Sequence, residues 1–359
     1  MLLTQKIGCA KIISSFLGKV ENMDKKQNPE FYTGDITAEN IDPTREYTAE
    51  NQEITFSAEQ NEIWADLFAG IHRPYLLEHI CREFTHGLSL LQLDPLHIPT
   101  VAYLNQQIQP RTGWRIERTV VRYTLADDWY SKFAQRIFLI TDYLRTRDQM
   151  EFTPEPDMFH DIFGHLPYLT QEFYARIEDK FAPAYLKATQ EEKEVIKRLA
   201  WYSTEFGLVM EDNRFKVFGA GTISGRAELA NTIMEFYRLS RDKVINFSGN
   251  VFEQLQNHFQ THKETINRVA EGVNELHRQG QMSSQDKGWN VVHALYKDLG
   301  IPHEGYLGGE VILAPFDIET IARIPKTVYA FNPMFFVCES FEQMDALLDS
   351  YLRPIALRN

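Results

Sequence analysis

The chain has 359 residues, of which 43% are hydrophobic and 24% charged, the balance of an ordinary globular protein and not of a disordered one. Its 37 basic residues against 50 acidic ones leave a net charge of −13, which speaks against a nucleic-acid surface, since phosphate contacts need a basic stripe. Three cysteines, Cys9, Cys81 and Cys338, are too few and too scattered for a disulfide scaffold or a four-cysteine zinc site. No apolar run approaches the ~18–20 residues that cross a bilayer. Residues 1–18 are broken by Gln5, Lys6 and Lys11 and make a poor secretory signal. The expectation is a cytoplasmic protein with no nucleic-acid and no membrane partner. Aromatic residues stand out: 24 Phe, 16 Tyr and 5 Trp make up 13% of the chain.

Residues 1–54 are polar and without periodicity over most of their length, and read as a flexible lead-in. Order is expected from about residue 55. Ser57 and Gln60 have capping-box spacing, and Ile63, Trp64, Leu67, Phe68 and Ile71 recur at helical intervals up to Pro74. The stretch 114–124, WRIERTVVRYT, is β-branched and aromatic enough for a strand. From Asp127 a second helix is predicted, with Phe133, Ile137, Ile140 and Leu144 on one face and Arg145 at its end. A third carries Val195, Leu199, Tyr202 and Phe206. Residues 244–312 predict a helical hairpin, its longer helix spanning about 251–278. Met334 to Val337 read as a short strand, and Ser340 with Gln343 caps a last helix bearing Phe341, Met344, Leu347, Leu348 and Tyr351. The fold class is mainly α with a small β-sheet.

Chemistry concentrates in TPEPDMFHDIFGHLP, residues 153–167, which holds His160 and His165 with Asp157 and Asp161 nearby. Histidine pairs are more often structural than metal-binding. Five residues of ideal α-helix, moreover, turn the second side chain about 140° away from the first. The backbone is therefore expected to unwind or end near Gly164 if the two are to share a metal. A third ligand is offered by Glu205 in WYSTEFGL, because an unpaired carboxylate in an aromatic-rich helix is costly to bury. Two imidazoles and one carboxylate form the facial set that holds non-haem Fe(II) with open positions. His258 and His262, four apart, have no carboxylate or cysteine partner in view and read as packing or contact residues.

The segments PEPDMFHDIFGHLPYL, WYSTEFGL and FGAGTISGRAEL closely resemble the pterin-dependent aromatic amino acid hydroxylases, above all the short bacterial phenylalanine hydroxylases. FDIETIARIPKTVYAFNPMFFVCESFEQ resumes the likeness at residues 316–343. The resemblance implies that family's catalytic-domain fold over 55–359, with 244–312 as a helical insertion. It implies O2-dependent ring hydroxylation of a free aromatic amino acid, most simply phenylalanine to tyrosine, with tryptophan or another ring position as the alternative. The implied cofactors are Fe(II) and tetrahydrobiopterin or a related tetrahydropterin, with O2 as co-substrate. A non-catalytic iron- and amino-acid-binding homologue is the rival from another class. The chain is expected to be a monomer or small homo-oligomer, with 244–312 as the candidate contact.

By resemblance His160, His165 and Glu205 are the iron ligands. Arg145, fifteen residues before His160, falls where the family clamps the substrate carboxylate, a task suited to a planar fork. Thr153, Pro156, Trp201, Phe206 and Ser224 take substrate-site positions, and Asp157 and Glu228 support them. Tyr123, Thr124, Trp129 and Asp161 take pterin-site positions, with Trp129 as the stacking ring. The chain departs from the family at Arg122 and Tyr123, where a Gly-Leu pair is usual. It departs again at Ala200 and Phe218, where tyrosine is usual.

Overall fold

The computed structural model describes residues 55–71, 73–119, 124, 126–150, 153, 156–238, 312–324, 326, 332 and 334–358. The lead-in 1–54, Arg122, Tyr123, and the segment 244–311 with His258 and His262 lie outside these residues.

The first helix, α1 (Ala58–Ile71), starts where the capping box places it. Ser57 N–H donates to Gln60 Oε1 at 2.9 Å, and Gln60 N–H donates to Ser57 Oγ at 3.2 Å. A short α2 (Pro74–Leu77) follows, then α3 (Arg82–Leu91), stopped by Gln92 in the left-handed region, and α4 (Val101–Thr112), stopped by Gly113 at φ 78°. Strand β1 (Arg115–Thr119) pairs in parallel with β2 (Ile137–Thr141), with α5 (Ala126–Phe133) between them.

The helix expected to run from Asp127 to Leu144 therefore ends at Phe133, and Ile137 and Ile140 belong to a strand. The residues IFLIT are buried throughout. A short apolar run buried on both sides carries no alternation, so periodicity cannot separate it from a helix. Arg136 at φ 55° makes the break. Arg145 consequently sits in the loop after β2 and not at a helix end.

The site-bearing helix begins at Met158 and widens over His160–His165 into a π-turn before continuing as α6 (Leu166–Leu169). Next come α7 (Glu172–Glu178), α8 (Phe181–Tyr185) and α9 (Gln190–Ala200). Helix α9 is capped by Thr189 and Glu192 and runs into a second π-turn, Trp201–Glu205. A four-stranded sheet in the order β4-β3-β6-β5 closes the back. In it β3 (Leu208–Glu211) and β4 (Arg214–Val217) form an antiparallel hairpin, while β5 (Ile312–Pro315) and β6 (Met334–Cys338) join in parallel. Asp212 and Asn213 turn that hairpin at φ 48° and 61°, the left-handed pair that two-residue hairpins favour. Between β4 and β5 lie α10 (Ala220–Ser224) and α11 (Arg226–Arg238). Helices α12 (Ile318–Arg323) and α13 (Phe341–Ala356) complete the described fold.

The aromatic surplus packs behind the first π-turn. Phe159 stacks on Phe163 at 4.8 Å, Trp64 meets Phe159 edge-on at 5.3 Å, and Phe68 and Phe84 close on Phe163 at 5.2 and 5.5 Å. Such ring pairs contribute ~0.5–1.5 kcal/mol each beyond their buried area. They clamp the helix so that its opposite face is presented in one orientation.

Candidate metal centre

The two histidines meet because the helix widens instead of unwinding. A π-turn closes i→i+5 hydrogen bonds, so residue 165 comes round to lie over residue 160. His165 Nε2 is 3.0 Å from His160 Nε2. Gly164 serves a purpose other than the expected break. A Cβ there would lie 2.9 Å from the Ala220 carbonyl oxygen and 3.1 Å from the Ala220 Cβ, so the glycine lets α10 pack against the turn. Glu205 closes the second π-turn, and the GAG segment lies against it. A Cβ on Gly219 would sit 2.3 Å from the Glu205 carbonyl oxygen.

Glu205 Oε1 is 3.2 Å from His165 Nε2, and its Oε2 is 3.5 Å from His160 Nε2. The two imidazole nitrogens thus lie 3.0 Å apart and each faces its own oxygen of the Glu205 carboxylate, a three-residue triangle of donor groups. Metal bonds of about 2.1 Å at right angles put neighbouring donors about 3.0 Å apart, the spacing of the two imidazole nitrogens, and either carboxylate oxygen is placed to supply the third donor. The histidine side chains are 10% exposed and that of Glu205 28%, so the triangle opens on the carboxylate side.

Protonation prepares the donors. His160 Nδ1 lies 2.8 Å from Ser224 Oγ, whose own proton goes to the Gly221 carbonyl oxygen at 3.3 Å. That relay leaves Ser224 accepting from Nδ1–H and turns the Nε2 lone pair inward. Burial, opposed by the Glu205 charge, holds His160 down at about 4. Burial pushes the Glu205 carboxyl up, but the charge and hydrogen bond of His165, then His160 and Lys326, outweigh it and hold it at about 2. For His165 the same carboxylate outweighs desolvation and raises the imidazole.

Around the triangle, Arg145 is 1% exposed and forks onto Asp157, Nε to Oδ2 at 2.8 Å and Nη2 to Oδ1 at 2.7 Å, while Nη1 donates to the Ser224 carbonyl at 3.2 Å. Asp157 also accepts from the backbone N–H of Arg145 and of His160, both at 2.9 Å. One carboxylate therefore ties the arginine to the first histidine. Asp161 is buried, accepts from Thr141 N–H at 2.8 Å, and is pushed by burial up to about 8. Near neutral pH it keeps a proton that it can donate.

Trp201 and Phe206 lie at opposite ends of the second π-turn with ring centroids 4.5 Å apart. Glu228 reaches Trp201 indirectly. It accepts from Asn332 N–H and Nδ2, each at 2.9 Å, and Asn332 Oδ1 takes Trp201 Nε1–H at 2.8 Å. Trp129 is half-buried against Phe133 and Phe138 at 5.1 and 5.0 Å, and Phe138 lies 5.2 Å from the His165 ring. Thr124, Thr153, Pro156 and Ala200 are half-buried, and Phe218 is buried against Phe341 at 5.2 Å.

Glu178 went unmarked in the sequence. It is 7% exposed, burial lifts it to about 7, and His165 is the main charge opposing that rise. A visible signal was an acid beside Tyr174, Ile177 and Phe181 on an apolar face. A second group of donor atoms also escaped notice: Cys81, Glu83 and Glu211 bring a thiol and two carboxylates within 4.8 Å of one another.

The family model described as biopterin-dependent aromatic amino acid hydroxylase matches residues 35–287. The chain belongs to that family. The match begins inside the stretch read as lead-in and ends inside the one read as an insertion. A phenylalanine-4-hydroxylase from Vibrio cholerae is 28% identical over 180 residues, 50% of this chain and 62% of that protein. A chloroplastic phenylalanine 4-monooxygenase from Pinus taeda is 33% identical over 49% of each chain. The chain thus spans about half to three fifths of the length of these relatives. The Chromobacterium violaceum phenylalanine hydroxylase, solved with iron(III) and 7,8-dihydrobiopterin, superposes with a TM-score of 0.60 at 22% identity, covering 90% of this chain and 91% of that one. This confirms the mainly helical hydroxylase fold with small sheets. Among the described residues no helix is long and apolar enough to cross a membrane.

Proposed function

We propose that the chain hydroxylates the ring of a free aromatic amino acid, phenylalanine to tyrosine, with Fe(II), a tetrahydropterin and O2. The observation that carries the reading is the meeting of the His160 and His165 imidazoles with each other and with the Glu205 carboxylate at 3.0–3.5 Å, two imidazoles and one carboxylate, the set suited to non-haem Fe(II). Bound there, iron and the reduced pterin together supply the activation of O2.

The chain's own residues do the rest. Ser224 fixes the His160 tautomer. Asp157 and the Ser224 carbonyl engage three of the five guanidinium N–H groups of Arg145. The remainder are left to take the amino acid's carboxylate at a desolvated site. Trp201 and Phe206 would form the wall for the substrate ring, with Thr153 and Pro156 beside it, and the Glu228–Asn332 relay would hold Trp201 in place. Trp129, with Thr124 and, on the family resemblance alone, Tyr123, is assigned to the pterin, its ring supplying a stacking face. Asp161, protonated near neutral pH, supplies a donor on that side. The buried rings behind the π-turn keep water from the rear of the site.

The test is a single turnover. Protein loaded anaerobically with Fe(II) is mixed with a tetrahydropterin, O2 and phenylalanine, and tyrosine is quantified by mass spectrometry. Stoichiometric tyrosine supports the reading. No product rejects it, and equal product without pterin rejects the pterin while leaving the iron site. Trp129→Ala should weaken pterin binding, since stacking contributes ~0.5–1.5 kcal/mol.

A further inference from the structure

His165 spends one ring nitrogen on the metal centre. Its Nε2 faces His160 Nε2 at 3.0 Å and Glu205 Oε1 at 3.2 Å, and among the described residues no hydrogen bond reaches its Nδ1. The corresponding atom of His160 has Ser224 Oγ at 2.8 Å. Three contacts place α7 behind His165. Tyr174 stacks on Tyr168, one turn past His165, with ring centroids 4.1 Å apart. Just beyond the end of α7, Asp179 takes the Arg136 guanidinium at 3.0 and 2.8 Å. Arg136 leads into β2, whose Phe138 ring lies 5.2 Å from the His165 ring. Glu178 stands between these anchors, one turn after Tyr174 and on the same face of the helix. Charge agrees with that placement. Burial lowers the His165 imidazole, Glu205 raises it most, and Glu178 comes next, ahead of Asp161. Glu178 is 7% exposed, yet among the described residues nothing hydrogen-bonds to its carboxyl. Tyr174 is 2% exposed, and its hydroxyl has no partner there either. A buried carboxyl left alone costs stability, and buried waters settle where about three such groups converge.

We propose that Glu178 is a positioning residue for His165, holding the Nδ1 edge of that imidazole through one buried water shared with the Tyr174 hydroxyl. The water accepts from His165 Nδ1–H and from the Tyr174 O–H, and donates to the Glu178 carboxyl. With a proton kept on Nδ1, His165 turns its Nε2 lone pair to the metal. Each histidine then has its own outer partner, Ser224 for His160 and Glu178 for His165. The inference rests on the assignment of His165 as an iron ligand under Proposed function.

Metal binding to the full chain tests this without turnover. In a competition with a chelator, Glu178→Leu should raise the Kd for Co(II) by about ten- to a hundredfold. Glu178→Gln keeps an acceptor for the water and should stay within about threefold of the parent. The metal-free leucine variant should withstand urea at least as well as the parent, because it no longer buries a lone carboxyl. A merely structural glutamate would lose stability and leave the Kd alone. An unchanged Kd in Glu178→Leu overturns the inference, and so does a glutamine variant as weak as the leucine one. Should the leucine variant not fold, a crystal structure of the Co(II)-loaded parent decides. A water within hydrogen-bond distance of His165 Nδ1, Glu178 and the Tyr174 hydroxyl supports the inference, and a dry gap overturns it. A parent that takes up no cobalt sinks the iron assignment and this inference together. One that binds cobalt with the leucine variant unmoved sinks this inference alone.

Discussion

Among the described residues two places gather metal-type ligands. At His160, His165 and Glu205 the donor atoms stand 3.0 to 3.5 Å apart. At Cys81, Glu83 and Glu211 they lie within 4.8 Å. The groups differ most in their protons. In the first, Ser224 takes one ring nitrogen of His160 and burial keeps that imidazole neutral near pH 7, Glu205 stays ionised, and the proton that this carboxylate favours on His165 is held at an imidazole that a metal can displace it from. In the second, burial pushes the Cys81 thiol up, beyond what its contact with the Tyr168 hydroxyl at 3.2 Å offsets. Burial, then a hydrogen bond to Glu211, lifts Glu83 to about 7. Glu211 already has the Arg82 N–H at 3.0 Å and the Arg82 guanidinium at 3.4 Å. A metal needs thiolate and carboxylate with their lone pairs vacant. The second group offers a thiol that burial keeps protonated and, in Glu83, a carboxyl lifted to about 7. Proximity of donor types therefore does not by itself make a site.

The largest effect expected follows directly. His165→Ala leaves two protein ligands, too few to hold Fe(II) well, so metal analysis should fall from one iron per chain to near zero, with activity lost by orders of magnitude. Cys81→Ala and Glu211→Gln should keep one iron per chain. Iron lost from the cysteine variant but retained by the histidine variant would invert the comparison.

Arg145 carries the next effect, and it shows in two readouts. Loss of a charge-assisted pair to a desolvated carboxylate, worth ~1.5–3 kcal/mol, should raise KM for the amino acid by roughly one to two orders of magnitude in Arg145→Ala. The same change strands Asp157, which is wholly buried, and breaking a buried ion pair from one side costs about 3–5 kcal/mol of stability. Urea unfolding should show that loss, and Asp157→Asn added to Arg145→Ala should return part of it without restoring KM. If the double variant recovers its KM, the clamp lies elsewhere.

How much of this was legible in the sequence depended on whether the signal was local. The caps at Ser57 and Ser340 and the strand at Met334 are local chemistry, and each stands where the residues put it. Residues 137–141 failed because a strand buried on both faces has no period. The histidine spacing was legible as a conflict with α-geometry but not in its resolution. Unwinding and widening both bring residue 165 towards residue 160, and nothing local in the sequence chooses between them. The Glu228–Asn332–Trp201 relay joins residues 104 and 131 positions apart. No window along a single chain contains it.

Ser224 sharpens the comparison from the metal side. Its hydroxyl is the means by which the first group sets a tautomer. Outer partners of this kind typically change metal affinity by 10- to 100-fold. Ser224→Ala should therefore keep iron at saturating metal but raise its Kd by about that factor in a competition with a chelator. Ser224→Thr, which keeps the hydroxyl, should lie between the two. An unchanged Kd in the alanine variant would mean that the His160 tautomer is set by other means.

The smallest effect tests the second group as a proton store. Glu83 has its carboxyl lifted from an ordinary value near 4.5 to about 7. Below about pH 4.5 the group is protonated whether the chain is folded or not, and it contributes no pH dependence. Between about 4.5 and 7 the unfolded chain releases the proton and the folded chain keeps it, so stability falls as pH rises. Above about 7 both forms are ionised and the loss is complete. Glu83→Gln fixes the neutral state and keeps a donor for Glu211, so its unfolding free energy should decline less between pH 5 and pH 8 than that of the parent. Parallel profiles for the two proteins would show that the pair holds no shared proton. The thiol and carboxylates would then need another reason to stand so close, and a metal would become the leading one.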